Sequence, residues 1–389
     1  MGQVRGINRI RGRRVQASLE VAFWISFLIL TYTFVGYQLI MRLLAWAARP
    51  HEALPPQDWP PLTIVLAAYN EQASISARID NLLALEYDPR KLSIIVVDDA
   101  STDGTVAAIN AKDNKRVRVI RNSRKRGKAA CLNHAMTAVE SKFVVFTDAR
   151  QSFAPDAIKR LVTRLRDPSV GAVSGALDLA RTDCRVGESV GLYWRLEREL
   201  RRDEARWDSC IGCTGAIYAL RSALFRPIPD DTILDDVVIP MQAALQGYRV
   251  LYDMEAVAID PEPIKSDRES RRKRRTLAGN FQMFLRYPAW LLPWRNRLWW
   301  QLISHKYLRV AAPLFLFIML LANAGLTDPM YRLTLIGQLT FYGLGILGLL
   351  YPSWKHPLLS IPTGFLFLNL ASVMGVVDHL KGGYRDGWK

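Results

Sequence analysis

Four long stretches without a charged residue set the architecture of this 389-residue chain. The first is residues 21–41, and the other three are residues 310–327, 333–354 and 357–377. A helix of about 20 apolar residues crosses a hydrocarbon core about 30 Å thick. Buried helices of soluble proteins seldom run uncharged for that length. The pattern therefore predicts one membrane span before, and three spans after, a large segment of ordinary composition.

That central segment alternates short apolar runs with helical patterns. Residues 62–67, 92–97, 117–120 and 143–147 are mainly apolar runs, and amphipathic stretches follow them. Strands that are apolar on both sides are typical of sheets covered by helices on both faces. The sequence therefore predicts an α/β domain with a mainly parallel sheet.

The predicted organisation has seven parts. They are a basic arm (1–17), a transmembrane helix (18–48), a Pro-rich linker (49–61), the α/β domain (62–286), an interfacial amphipathic segment rich in Trp (287–309), three transmembrane helices (310–379) and a tail (380–389).

The formal net charge of +16 indicates partners that are negatively charged. Anionic lipid head groups are the first interpretation for a membrane protein, and a polyanionic substrate is the second. Nucleic acid is not expected as a partner, because the basic clusters lack interleaved stacking aromatic residues.

Two of the four cysteines, Cys210 and Cys213, have the spacing of redox and zinc motifs. No second pair completes a metal site around them. We expect incidental reduced thiols.

Polar side chains follow three predicted strands where each strand ends. Tyr69 and Glu71 follow the first strand, Asp99 the second and Asp148 the fourth. The carboxyl ends of parallel strands meet at one edge of a sheet, where open α/β sheets bind ligands. Carboxylates there suit a nucleotide and a divalent cation that bridges its diphosphate. Alternatively, Asp99 belongs to a turn that caps the following helix.

Two further polar clusters precede predicted helices. Lys128 follows Gly127 in a basic run, which suits either a phosphate contact at a helix amino terminus or a solvated loop. Asp235 and Asp236 suit either a general base or an acidic cap of the next helix.

The order of these motifs resembles family 2 glycosyltransferases, and above all the membrane-embedded β-glycan synthases that make cellulose, chitin, hyaluronan and poly-N-acetylglucosamine. The resemblance covers roughly residues 60–300. It rests on Ala68-Tyr69-Asn70-Glu71, Asp98-Asp99-Ala100-Ser101, Gly127-Lys128 with Leu132-Asn133, Thr147-Asp148-Ala149, Gly215-Ala216 with Arg221, and Asp235-Asp236.

The resemblance implies a GT-A (Rossmann-like) fold, a UDP-sugar donor, a glycan acceptor, Mg²⁺ or Mn²⁺ as cofactor, and inversion at the anomeric carbon. It implies that Asp236 is the general base and that Asp148 contacts the metal. It also implies an acceptor site at Gly215 and Asp235. The implied donor-binding residues are Tyr69, Glu71, Asp99, Lys128, Asp148, Arg272 and Arg275.

The chain departs from the family pattern in two places. Arg150 replaces the second acid of the D-x-D motif, so it either contacts phosphate itself or leaves the donor to supply the missing metal ligands. The Gln-x-x-Arg-Trp motif aligns with residues 272–276, where Arg275 is retained and the Trp is absent. Arg272 and Arg275 would bind the diphosphate or form a basic face on anionic lipid.

The sequence therefore predicts a processive membrane polysaccharide synthase with a cytosolic catalytic domain in the cell (inner) membrane. One alternative is non-processive transfer to a lipid-linked acceptor such as a polyprenyl phosphate. The other is a donor-binding regulatory subunit. A single amino-terminal span would place the basic arm outside, against the positive-inside rule. The cytosolic location rests instead on the cytosolic supply of nucleotide sugars.

Overall fold

The computed structural model describes residues 2–48, 58–179, 185–261, 266–352, 354 and 356–384. Most of the predicted Pro-rich linker (49–61) and the end of the predicted tail (380–389) lie outside these ranges. The predicted basic arm is helical from Gly2 and continuous with the first apolar helix.

Within the described ranges, eight strands form one sheet in the order β3-β2-β1-β4-β7-β6-β8-β5. Strands β3, β2, β1 and β4 are parallel neighbours, and β6 is parallel to β8. This topology confirms the predicted mainly parallel α/β sheet. The strands are β1 (Leu62–Ala68), β2 (Leu92–Asp98), β3 (Val117–Arg121), β4 (Phe143–Thr147), β5 (Ser152–Phe153), β6 (Val170–Leu179), β7 (Ile217–Arg221) and β8 (Arg249–Asp260).

Strand β7 was not predicted from the sequence. It lies antiparallel between β4 and β6, and its first four residues are buried. A run of five residues with both faces buried has no alternating pattern, so it does not show by itself whether it is strand or helix. Its two neighbours in the sheet decide the conformation.

Thirteen α-helices accompany the sheet in the described ranges. They are α1 (Gly2–Thr31), α2 (Tyr37–Ala47), α3 (Ile75–Leu83), α4 (Thr105–Asn110), α5 (Lys128–Met136), α6 (Ala157–Leu165), α7 (Arg185–Trp207), α8 (Asp235–Leu245), α9 (Ser266–Arg286), α10 (Trp299–Leu302), α11 (Leu308–Gly325), α12 (Pro329–Leu350) and α13 (Pro357–Leu380).

The sheet buries both of its faces. Along β1, Val65 belongs to one hydrophobic cluster, with residues of α5 and α8. Its neighbours Ile64 and Leu66 belong to the opposite cluster, with residues of α3 and α6. The uninterrupted apolar sequence of β1 follows from this packing, because successive side chains of a strand point to opposite faces.

Among the residues that the structure describes, four helical segments are long and apolar enough to cross a membrane, and they confirm the predicted arrangement of one before and three after the domain. They are Gly12–Ala47, Trp299–Gly325, Pro329–Leu350 and Leu358–Leu380. Large apolar side chains on them face outward, such as Leu43 (66% exposed), Leu333 (71%) and Leu350 (66%). Such surfaces suit contact with lipid.

The predicted interfacial segment, residues 287–309, is not a single helix. A short 3₁₀-helix at Pro288–Leu291 is followed by a turn, and the helical chain that begins at Trp299 belongs to the second candidate span. Pro293 lies in the interruption, and proline disfavours a continuous helix because it lacks the backbone N–H.

Candidate active site

A cavity of about 1010 Å³ lies where the carboxyl ends of β1 and β4 meet the first turn of α8 and the inner face of α9. Leu66 of β1 is in register with Thr147 of β4, so the residues that follow these strands emerge side by side. The backbone of Asn70 is left-handed (φ 54°), which turns the chain sharply after β1. This edge is where the sequence places the ligand site.

Nine of the ten predicted site residues line this cavity. They are Tyr69, Glu71, Lys128, Asp148, Gly215, Asp235, Asp236, Arg272 and Arg275. The structure therefore brings together residues from six separate parts of the chain. Their individual roles stay predictions.

Asp99 is the predicted site residue that does not line the cavity. Its buried carboxylate accepts hydrogen bonds from the backbone N–H groups of Arg126 (3.0 Å) and Gly127 (2.7 Å), and from Asn122 Nδ2 (2.8 Å). Gly127 has φ +96°, a conformation that glycine adopts without strain. Asp99 thus holds the loop that ends where α5 begins, at Lys128.

Lys128 is the cationic centre of the site. Its Nζ lies 2.8 Å from Asp148 Oδ1 and 3.2 Å from Asp235 Oδ2. Burial by itself lowers the pKa of Lys128, but the charges of Asp148, Asp235 and Asp236 outweigh burial and raise that pKa well above its ordinary value. Burial likewise tends to raise the pKa of Asp148, whereas Lys128, then Arg275 and Arg150, lower it overall. Lys128 and Asp148 are therefore both ionised at neutral pH.

Asp236 is a carboxylate with a raised pKa. It lies in the first turn of α8, and its Oδ2 accepts a hydrogen bond from the Gly215 N–H at 3.1 Å. Burial, and then the charge of Asp235, raise the pKa of Asp236 to about 6, although Lys128 opposes the rise. A carboxylate with a pKa near the working pH is suited to general base catalysis.

Helix α9 supplies a basic wall to the cavity. The guanidinium of Arg274 pairs with Asp378 of α13, and that of Arg272 lies 4.8 Å from the ring centroid of Trp194. Asp378 and Tyr384 line the cavity as well, and sequence reasoning missed both. The available signal was the single acidic residue in the last apolar helix, because ionisable residues in such helices are usually functional.

The residues present do not fit the two-carboxylate metal site that the resemblance implies. Arg150 occupies the second acidic position, and Lys128 engages Asp148 Oδ1. The described side chains form no group of three His, Cys, Asp or Glu residues able to hold a metal. Gln151 Oε1 is buried, lacks a hydrogen-bond partner and lines the cavity, but it is a neutral oxygen. We therefore derive no step through a metal, and the choice of Mg²⁺ or Mn²⁺ stays a prediction.

Cys210 and Cys213 are buried free thiols. Burial raises the pKa of the Cys210 thiol to about 12, so it is protonated at neutral pH. These properties agree with the expectation of incidental reduced thiols.

Residues 63–226 match the family model of glycosyl transferase family 2. The chain carries a family 2 glycosyltransferase domain. The match includes Tyr69, Asp99, Lys128, Asp148 and Gly215, and it ends before Asp235 and Asp236. It confirms the family 2 glycosyltransferase domain that the motifs indicated.

Two curated relatives of this family 2 domain are glycosyltransferases of N-acetylglucosamine. The poly-β-1,6-N-acetyl-D-glucosamine synthase of Staphylococcus aureus (strain COL) is 26% identical over 198 residues, which is 49% of this chain and 48% of that protein. The N-acetylglucosaminyltransferase of Rhizobium sp. (strain N33) is 27% identical over 274 residues, 65% of this chain and 60% of that protein. The chain thus spans about half to three fifths of the length of these relatives.

One solved structure resembles nearly the whole chain. It is the mannosyltransferase PcManGT from Pyrobaculum calidifontis in complex with GDP-Man and Mn²⁺, with a TM-score of 0.71 and 25% identity. The similarity covers 92% of this chain and 99% of that one. It confirms the predicted GT-A fold with helices on both sides of the domain.

Proposed function

We propose that this protein is an integral-membrane inverting glycosyltransferase that transfers a sugar from a nucleotide-sugar donor, UDP-linked by the resemblance, to a growing β-glycan. One observation carries the proposal. The cavity contains both Asp148, which the resemblance assigns to the donor, and Asp236, whose pKa suits an acceptor base, with Lys128 between the two acidic segments.

The chemistry follows from one base and a cationic leaving-group site. Asp236 takes the proton of an acceptor hydroxyl, whose oxygen attacks the anomeric carbon from the face opposite the diphosphate. The new bond joins the acceptor oxygen to that carbon, and the old bond breaks with its electrons on the diphosphate oxygen. Lys128 and the guanidinium groups of α9 stabilise the charge that develops there.

The location proposed for this reaction is the cytosolic face of a multi-pass cell (inner) membrane protein. Asp378 and Tyr384, at the end of the last candidate span, line the same cavity as the domain residues. The site is therefore next to the membrane. A glycan acceptor would leave toward the spans, whose outer apolar surfaces contact membrane lipids.

Product formation tests the proposal directly. Purified full-length protein in detergent is incubated with UDP-sugars and with GDP-mannose, and the products are measured by mass. We expect turnover with one donor and its loss, by at least about 100-fold, in Asp236→Asn with donor affinity retained. Asp113→Asn is the matched control, because Asp113 is exposed and has a left-handed backbone (φ 37°) that Asn tolerates. Full turnover by Asp236→Asn would contradict the base assignment.

A second candidate function is single transfer to a lipid-linked acceptor. It is favoured by the close packing of α9 on α13, where a Cβ on Gly375 would lie 2.5 Å from the carbonyl oxygen of Arg274. Such contact leaves no room for a glycan chain between these two helices at that point. A ladder of masses supports the synthase, whereas one sugar on a lipid-extractable product supports this candidate.

A further inference from the structure

Arg150 gives this site a feature that the D-x-D pattern does not have. We propose that the Arg150 guanidinium binds the donor diphosphate directly, and that donor binding consequently does not require a carboxylate-held divalent cation. This inference rests on the proposed function, since it concerns how the same nucleotide-sugar donor is held.

The position of Arg150 suits a ligand contact. It stands two residues after Asp148, lines the cavity, and has a side chain that is 48% exposed. Its nearest ion pair in the described chain is long, with Nε 4.0 Å from Glu71 Oε1. Glu71 is also engaged by Ser74, whose Oγ donates to Glu71 Oε2 at 2.7 Å. The guanidinium therefore retains N–H groups for a ligand.

The charges around Asp148 disfavour a tightly bound cation. Lys128 Nζ is 2.8 Å from Asp148 Oδ1 and 3.2 Å from Asp235 Oδ2, so an ammonium group already engages the carboxylates that a metal would need. Arg150 and Arg275 line the same cavity as Asp148 and add two further positive charges there. A divalent ion placed at Asp148 would be repelled by these three groups.

The same charges favour a diphosphate. The charge of Lys128 is balanced by Asp148 and Asp235, and that of Arg274 by Asp378. Arg150 and Arg275 also line the cavity, and their guanidinium groups can meet phosphate oxygens. A planar guanidinium binds two phosphate oxygens at once, and it keeps its charge as the diphosphate leaves.

Nucleotide binding without turnover tests this inference. The affinity of the purified full chain for UDP and for GDP is measured calorimetrically, in excess EDTA and in MnCl₂. The variants are Arg150→Gln, which removes the charge, and Arg150→Asp, which restores the second acid of the motif. Arg118→Gln is the charge-matched control, because Arg118 is exposed on β3 and lies outside the cavity lining.

We expect the wild type to bind one nucleotide in EDTA within about threefold of its affinity in MnCl₂. Arg150→Gln should weaken binding in EDTA by about 10- to 100-fold, the effect of losing a charge-assisted contact. Its affinity for the corresponding nucleoside should be unchanged. Arg150→Asp should bind poorly in EDTA and recover in MnCl₂, and the control should match the wild type.

Two results would overturn the inference while leaving the proposed function intact. They are wild-type binding that EDTA weakens by more than about tenfold, and an Arg150→Gln variant that binds in EDTA as tightly as the wild type. A folded wild-type protein that binds neither UDP nor GDP under any condition would overturn the proposed function, and this inference with it.

Discussion

Asp378 of α13 forms a bidentate ion pair with Arg274 of α9, with N–O distances of 2.6, 2.8 and 2.9 Å. Both side chains line the candidate active site, and their exposed fractions are 23% and 27%. The pair joins the last candidate membrane span to the helix that carries the basic wall of the cavity. The geometry of the site therefore depends on how the span docks.

Breaking this pair should destabilise the protein. Asp378→Asn should lower the free energy of unfolding by about 1–3 kcal/mol, because Arg274 then keeps a poorly solvated charge without its partner. The measurement is the midpoint of thermal unfolding in detergent. Asp80→Asn is the control, since Asp80 is 61% exposed in its pair with Lys112 and such pairs contribute little. Equal midpoints for the two variants would show that the Asp378 pair does not anchor the span.

The pH dependence of turnover should follow Asp236. A general base is active when deprotonated, so kcat/KM should rise as pH increases through about 6 and level off above it. Lys128 has a raised pKa and should cause no loss between pH 7 and about 9. Asp235→Asn removes a neighbouring negative charge and should move the rise to lower pH. A profile of kcat/KM from pH 5 to 9 checks both points. An unchanged midpoint in Asp235→Asn would show that the charge of Asp235 does not raise the pKa of Asp236.

Removing the charge of Lys128 should disrupt the acidic cluster. Lys128→Met leaves Asp148 and Asp235 without their shared cation, so we expect kcat/KM to fall by at least about 100-fold and UDP or GDP affinity to weaken. The same substitution at the exposed Lys115 should have no effect on either quantity. A normal donor affinity in Lys128→Met would mean that Lys128 only balances the carboxylates.

Asp99 offers a test between two roles. If it acts as the structure suggests, by holding the loop before Lys128, Asp99→Asn should lower stability by about 1–3 kcal/mol, because an amide cannot accept all the N–H groups that the carboxylate accepts. Donor affinity would fall together with stability, because the same loop positions Lys128. Weakened donor affinity at an unchanged unfolding midpoint would instead support the direct nucleotide contact expected from the motif.

Much of the architecture was predictable because its signals are local. Uncharged helices of membrane length and continuously apolar strands are visible in short windows of sequence, as are acids at strand ends. Parallel strands with these endings converge at one edge by geometry alone. Nine of the ten predicted site residues therefore line the cavity.

The sequence by itself determined the spans, the α/β class and the family 2 motifs, because each depends on residue type and spacing along one stretch of chain. Only the tertiary structure decided that β7 runs antiparallel inside the sheet, that Asp99 turns away to hold a loop, and that Asp378 and Tyr384 complete the cavity. These features arise from contacts between segments far apart in the chain. Such contacts depend on the packing of whole elements, and no local pattern records them.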